Sequence, residues 1–270
     1  MQRWMNIELK TEMMKGNIKP KVTLVGAGPG DPDLITIKGM KALMNANVVL
    51  YDALINRKLL EYVPKNAKRI FVGKRKGMHS FSQDEINELI VKNTFEYGNA
   101  VRLKGGDPFI FGRGSEEIDY IESFGIETEV VSGISSSMAV PASQGISLTK
   151  RGVSESFWVI TGTTSERKLS HDVYLAAQST ATVVILMGMS KLSEIVAIFK
   201  KFNKTEVPTA IIQNGTTKNE KLGLGTIDNI EEVVAQQQLS SPAIIVIGEV
   251  VKESSKFHSF YKSVHSELLK

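Results

Sequence analysis

The residues whose types and spacing could do chemistry lie in one stretch, Arg102-Leu-Lys-Gly-Gly-Asp-Pro-Phe-Ile-Phe-Gly-Arg-Gly-Ser-Glu-Glu117. It starts at the polar end of an apolar run and places two glycines, an acid, a proline and two aromatics in a loop. It ends in an Arg-Gly turn that opens a helix. Gly105 and Gly106 allow close approach of backbone to a ligand, or a positive φ. Arg113 carries a planar fork of donors that suits carboxylates. With it goes a basic cluster at strand ends and loops: Lys74-Arg75-Lys76 with His79, Arg102, Lys104, Lys150 and Arg151. Cations gathered at strand mouths favour an anionic small molecule, and the alternative for each alone is solvated surface. Asp52 closes a short apolar run and is either a proton acceptor or a strand-ending turn residue.

A second glycine loop, Gly26-Ala-Gly-Pro-Gly-Asp-Pro32, imitates a dinucleotide fingerprint without matching it. The spacing is G-x-G-x-G, Asp31 holds the third glycine position, and Pro29 and Pro32 stiffen the turn. A carboxylate there would repel a pyrophosphate at a helix N-terminus. As a helix N-cap Asp31 is well placed.

Short apolar runs alternating with helical patterns must position these loops. Strands are expected at Lys21–Val25, Val48–Tyr51, Arg69–Val72, Ala100–Leu103 and Glu127–Val131. Helices are expected at Pro32–Met44, about Arg57–Tyr62, Ser82–Glu96 and Ser115–Phe124, with Ser82 and Glu85 forming a capping box. The pattern implies a mostly parallel sheet covered on both faces. The second half repeats the alternation, with strands at Phe157–Thr161, Thr182–Leu186, Thr209–Ile212 and Ala243–Ile247, and helices at Leu192–Phe202 and Asn229–Gln237. The expected organisation is an α/β protein of two domains, 21–132 and 133–251, with peripheral tails at 1–20 and 252–270.

With 270 residues the chain can bury a large core. A hydrophobic fraction of 42% and a charged fraction of 23% are those of an ordinary globular protein. No apolar run approaches the length of a membrane helix, and residues 1–20 lack the pattern of a signal peptide. The absence of cysteine excludes a disulfide framework and cysteine-ligated metal, and fits the cytoplasm. A net charge of +4 with acids interspersed argues against nucleic acid as a partner.

The two glycine loops together resemble the uroporphyrinogen-III C-methyltransferases of the tetrapyrrole methylase superfamily. The likeness runs from Lys21 to about Val251. It rests on Val25–Pro32, Val49-Leu-Tyr-Asp-Ala-Leu54, Val72-Gly-Lys-Arg-Lys-Gly77, Arg102–Glu117, Val131–Ser136, Gly145-Ile-Ser-Leu-Thr149 and Met187-Gly188. The resemblance implies two α/β/α domains with S-adenosylmethionine held between them, and a homodimer. It implies methylation of uroporphyrinogen III at carbons 2 and 7, giving precorrin-2 for siroheme and cobalamin. By position, the implied cofactor contacts are Pro29, Gly105, Gly106, Asp107, Ile110, Ser135, Ser136, Met187 and Gly215, and the implied acid–base residues are Asp52 and Lys74. Small departures occur: Ser115 stands where a glycine is usual, and Lys150 replaces a histidine before Arg151.

The residue chemistry agrees with that likeness. A compact sulfonium cation needs close backbone approach and a few acceptors, which Gly105, Gly106 and Asp107 offer. Asp107→Ala is therefore expected to harm cofactor binding more than folding. Met187 would pack on the adenine, unless it is a core methionine, and Ser135 and Ser136 either touch the cofactor or cap a helix. A substrate with eight carboxylates explains cations such as Arg113, Lys150 and Arg151. Arg113, with Asp52 and Lys74, is a candidate for managing charge during proton removal.

Overall fold

The computed structural model describes residues 19–73 and 81–257, in two compact units, Met1–Ser135 and Ser136–Lys270. The first unit is a five-stranded parallel sheet built from β1 (Lys21–Gly26), β2 (Val48–Tyr51), β3 (Lys68–Phe71), β4 (Asn99–Lys104) and β5 (Glu127–Val131), in the order β3-β2-β4-β1-β5. Val22, Leu24, Val48, Leu50 and Ala100 face one side, under α2 (Gln83–Tyr97) and α3 (Gly114–Glu122). Val25, Val49, Val101 and Leu103 face the other, under α1 (Ile37–Met44) and a 3-10 turn at Arg57–Tyr62. Burial on both faces is why these strands read as apolar runs without alternation.

Local chemistry sets the helix ends. The helix expected over Pro32–Met44 is broken in two. Asp31 caps a single 3-10 turn at Pro32–Leu34, its carboxylate accepting from Asp33 N–H at 3.0 Å. Ile35 and Thr36 then run extended, and Thr36 Oγ1 caps α1 by accepting from Gly39 N–H at 3.1 Å. The capping box at Ser82 and Glu85 is present in both directions, at 2.6 and 3.2 Å. Gly98, at φ 89°, ends α2.

The second unit departs from the parallel expectation. Its strands β6 (Phe157–Thr161), β7 (Thr182–Leu186), β8 (Pro208–Gln213), β9 (Lys221–Thr226) and β10 (Ala243–Ile247) form a sheet in the order β6-β7-β10-β8-β9. Only β6 and β7 are parallel; β10 runs antiparallel to both neighbours, and β8 and β9 form a hairpin. The loop between β8 and β9 is too short for a parallel crossover. Strand β9 escapes a sequence reading because Gly223 and Gly225 interrupt it. Both glycines are closely approached: a Cβ would lie 2.5 Å from Leu239 Cδ1 at the first and 2.4 Å from Asn229 Oδ1 at the second, so those side chains would have to shift. Helix α4 (Ser136–Ser143) was hidden by its serines and Pro141, and α5 (Asp172–Ala176) by its brevity. Helices α6 (Leu192–Lys201) and α7 (Ile230–Gln237) follow their apolar periodicity. The expected tail from residue 252 is corrected in part, since Ser254 is buried and Phe257 is part of the second unit's core.

Candidate functional site

In a parallel sheet the loops at the carboxyl ends of the strands are the usual ligand-binding edge. Here three of them touch through glycine. Gly26 ends β1, Gly106 follows β4 and Gly133 follows β5. A Cβ on Gly26 would lie 2.4 Å from Gly133 N and 2.7 Å from Gly106 O, and one on Gly133 would lie 2.3 Å from Gly106 O. No side chain fits at Gly26 or Gly133. Gly28 and Gly106 also exchange backbone hydrogen bonds of 3.2 and 2.8 Å, with φ values of 79° and 66° that favour glycine. Pro29 follows directly, and Asn56 Nδ2 donates to Gly30 O at 2.8 Å, tying that loop to the turn after β2.

Asp107 is a clamp in this junction. Its Oδ1 accepts from Phe109 N–H at 2.8 Å and its Oδ2 from Gly133 N–H at 3.0 Å, so both oxygens serve the loops themselves. Gly105 packs closely on Leu54, where a Cβ would come to 3.1 Å. Ile110 is exposed between Phe109 and Phe111, and each of the three leaves about half of its surface open. Ser135 is buried just before α4, and Ser136 opens that helix.

Arg113 caps α3 in the left-handed conformation, at φ 58°, without a side-chain cap bond. Gly112 and Gly114 do more than free its backbone: a Cβ on either would lie 2.6 Å from Pro108 O. The Arg113 fork is bidentate to Glu116, at 3.0 and 2.5 Å, with both side chains about half exposed. The Glu116 bond is the main cause holding the guanidinium's affinity for its proton above the usual value, and Glu116 is in turn lowered.

Two members of the expected basic cluster are not surface cations. Arg102 and Lys104 are buried, and both bind Glu117 Oε1, at 3.2 and 2.8 Å. Arg102 Nη2 also donates to Asp52 Oδ1 at 2.6 Å. Burial opposes the charged form of Arg102, but Asp52 and Glu117 outweigh it and raise the guanidinium's pKa. Lys104 is lowered, first by desolvation and then by Arg102. Sequence reasoning weighed Glu116 or Glu117 as a partner of Arg113, which Glu116 is, and missed Glu117 as the partner of Arg102 and Lys104. The available signal was the Arg-x-Lys spacing inside an apolar strand, which puts both cations on one buried face. Lys74 lies outside the described residues.

In the second unit, Met187 follows β7 at φ 55° and is 52% exposed, so it is no core methionine. Its carbonyl accepts from Thr163 Oγ1 at 2.9 Å. Gly215 lies after β8 against α4, where a Cβ would meet Val140 Cγ1 at 2.3 Å. Lys150 pairs with Glu253, and Arg151 is exposed without an ion-pair partner among the described residues. Among the described residues no helix is long and apolar enough to cross a membrane.

Comparison with known proteins agrees with this geometry. The family model for tetrapyrrole (corrin/porphyrin) methylases matches residues 21–231. A uroporphyrinogen-III C-methyltransferase of Methanocaldococcus jannaschii is 50% identical, over 86% of this chain and 96% of that protein. A siroheme synthase of Actinobacillus pleuropneumoniae is 41% identical over 90% of this chain, which spans only half of that longer protein. The crystal structure of uroporphyrin-III C-methyl transferase from Thermus thermophilus, complexed with S-adenosyl homocysteine, superposes with a TM-score of 0.74 at 33% identity, covering 86% of this chain and 99% of that one. A cobalt precorrin-4 methyltransferase at 24% identity and a TM-score of 0.77 shares the fold. The chain belongs to the tetrapyrrole methylases.

Proposed function

We propose that this chain is a uroporphyrinogen-III C-methyltransferase, which uses S-adenosylmethionine to methylate carbons 2 and 7 and yields precorrin-2 for siroheme and cobalamin synthesis. The observation that carries the reading is the placement of Asp52, held by Arg102, two residues before Leu54, the side chain on which the Gly105–Gly106 loop packs. A proton acceptor thus stands beside a glycine-edged loop with apolar surface exposed next to it.

The residues fit a sulfonium cofactor better than a nucleotide phosphate. The first loop offers Asp31 and two prolines in place of a nest of free amides, and the second offers bare glycine backbone and exposed Ile110. S-adenosylmethionine, when bound, supplies an activated methyl group. In the proposal, Pro29, Gly105, Gly106, Ile110, Ser135, Ser136, Met187 and Gly215 contact it, and Asp107 shapes the loop that does so. The chain's contribution is alignment, which is worth up to about 7–11 kcal/mol in favourable cases. Methylation of a pyrrole carbon leaves a cationic ring whose proton is acidic, so a carboxylate suffices to take it. Asp52 Oδ2 has no hydrogen-bond partner among the described residues and serves as that acceptor. Lys74 belongs to the same proposed acid–base set.

Arg113, Lys150 and Arg151 bind substrate carboxylates in this reading. An exposed ion pair contributes only about 0–1 kcal/mol, so a substrate carboxylate can replace Glu116 in the Arg113 fork at little cost. The domains 21–132 and 133–251, a homodimer and a cytoplasmic setting belong to the same proposal. Phe157 and Trp158, exposed on the edge strand β6, support self-association. The test is incubation with S-adenosylmethionine and uroporphyrinogen III: a doubly methylated tetrapyrrole is expected, and none would overturn the reading. Arg113→Lys should lower methyl transfer while cofactor affinity holds. Full activity in both Arg113→Lys and Arg113→Ala would remove Arg113 from the substrate site.

A further inference from the structure

Four charged groups meet on one face of the first sheet. Arg102 and Lys104 leave β4 two residues apart and are 2% and 4% exposed, and Glu117 comes down from α3 fully buried. Glu117 Oε1 accepts from Arg102 Nε, from Lys104 Nζ and from Gln83 Nε2 at the start of α2. Glu117 Oε2 has no partner among the described residues. The set opens toward solvent at one member, Asp52, whose side chain is 27% exposed.

Such an arrangement is a poor way to stabilise a fold. Desolvating each ion costs several kcal/mol, and apolar replacements of equal volume do as well or better. An acceptor oxygen left orphaned adds to that cost. What the set does is aim one carboxylate. The Arg102 guanidinium is fixed by Glu117 at Nε and by Leu103 O at Nη1, 3.3 Å away, which leaves Nη2 directed at Asp52. The Asp52 backbone is fixed in turn by its N–H donating to Leu103 O at 3.2 Å. One Asp52 oxygen is thereby held and the other is left without a partner among the described residues.

We propose that Arg102 and Glu117 are positioning residues for proton removal in the methyl transfer: Arg102 aims the Asp52 carboxylate, and Glu117 fixes Arg102 and offsets its charge. The inference rests on Asp52 being the proton acceptor of the proposed reaction. Among the described residues, the charged groups that Asp52 faces are Arg102 directly, with Lys104 of β4 and Glu117 of α3 behind it; Gln83 and Asn87 of α2 are neutral.

The two residues act on Asp52 with opposite sign, which a merely structural role would not do. The experiment is the pH profile of single-turnover methyl transfer to uroporphyrinogen III, with S-adenosylhomocysteine affinity measured in parallel. Arg102→Gln removes the cation, so the acid limb should move up by about one pH unit or more. Glu117→Gln keeps the shape but removes the offsetting charge, so the acid limb should move down. Arg102→Lys keeps the charge without the fork, so the limb should stay while turnover falls about tenfold or more, as for lost alignment. Affinity for S-adenosylhomocysteine should hold in all three. If Arg102→Gln fails to fold, Glu117→Gln and Arg102→Lys decide. Limbs that do not move, or that move together, overturn the inference while an inactive Asp52→Asn leaves the reading of Asp52 standing. Asp52→Asn at the wild-type rate would instead overturn that reading and the inference with it.

Discussion

Asp107 offers the sharpest quantitative test, because the structure gives its carboxylate a structural role that its sequence context does not suggest. In the loop Gly105-Gly106-Asp107 a carboxylate looks like a ligand acceptor whose loss would spare folding. Instead each oxygen holds a backbone N–H, Phe109 within the loop and Gly133 from the loop after β5. Hydrogen bonds to a charged group contribute about 1.5–3 kcal/mol each. The side chain is only half buried and the two bonds share one group, so Asp107→Ala should cost about 2–4 kcal/mol in total. At about 2–4 °C per kcal/mol for a unit of this size, the transition of the first unit should fall by about 4–16 °C. Asp107→Asn keeps one acceptor and turns an amide N–H toward the other donor, so it should cost about half as much. Scanning calorimetry of both variants, with S-adenosylhomocysteine titration beside it, measures this. Cofactor affinity should fall too, since the loop loses its anchor. An Asp107→Ala protein that melts with the wild type and loses only cofactor affinity would refute the clamp.

The remaining predictions compare glycines and one ion-paired carboxylate. Gly26→Ala should cost about 3 kcal/mol, the upper end for overpacking, because backbone on two sides must move. Gly145→Ala, where φ is 70° but nothing lies within 4 Å, should cost only about 1 kcal/mol. Equal melting temperatures for the two would mean that the three-loop junction can open freely. At the other end of the sheet, Lys21 and then Lys38 hydrogen-bond Glu129 at 2.8 and 2.6 Å and hold its carboxyl below the ordinary 4.5. A lowered carboxyl contributes stability that is complete above 4.5 and is lost as pH falls through the folded value. Glu129→Gln should therefore flatten the stability–pH curve below about 4.5, and an unchanged curve would show the pairs to be inert.

Much of the first unit was legible because its strands are buried on both faces and so stand out as apolar runs between capped helices. Val48–Tyr51 and Glu127–Val131 fall where the sequence places them. What escaped was decided by contacts remote in sequence. Strand β9 carries glycines where the side chains of Leu239 and Asn229, flanking α7, come close, so its propensity points away from its structure. Arg102 and Lys104 read as surface cations because charges are seldom buried, and their partner Glu117 lies beyond a loop, on a different element. Only the alternation within Ala100-Val-Arg-Leu-Lys104 hinted that both side chains share the face of a buried strand.

The carboxyl edge of the first sheet also inverts the usual relation between size and importance. In a core, large side chains carry the packing and small ones are filler. Here the loops after β1, β4 and β5 meet through backbone at Gly26, Gly106 and Gly133, and one carboxylate ties two of them. The large residues of the same edge, Leu54, Phe109, Ile110 and Phe111, are exposed and contribute little to folding the unit. Their apolar surface is available for a bound molecule, while the residues that fix its position present almost no side chain. Truncating the exposed apolar residues should then lower affinity at constant stability, whereas adding one methyl group at the glycines lowers both. Beneath that edge the buried Arg102 guanidinium holds Asp52 and Glu117, whereas at the surface the exposed Arg113 is paired only with the equally exposed Glu116.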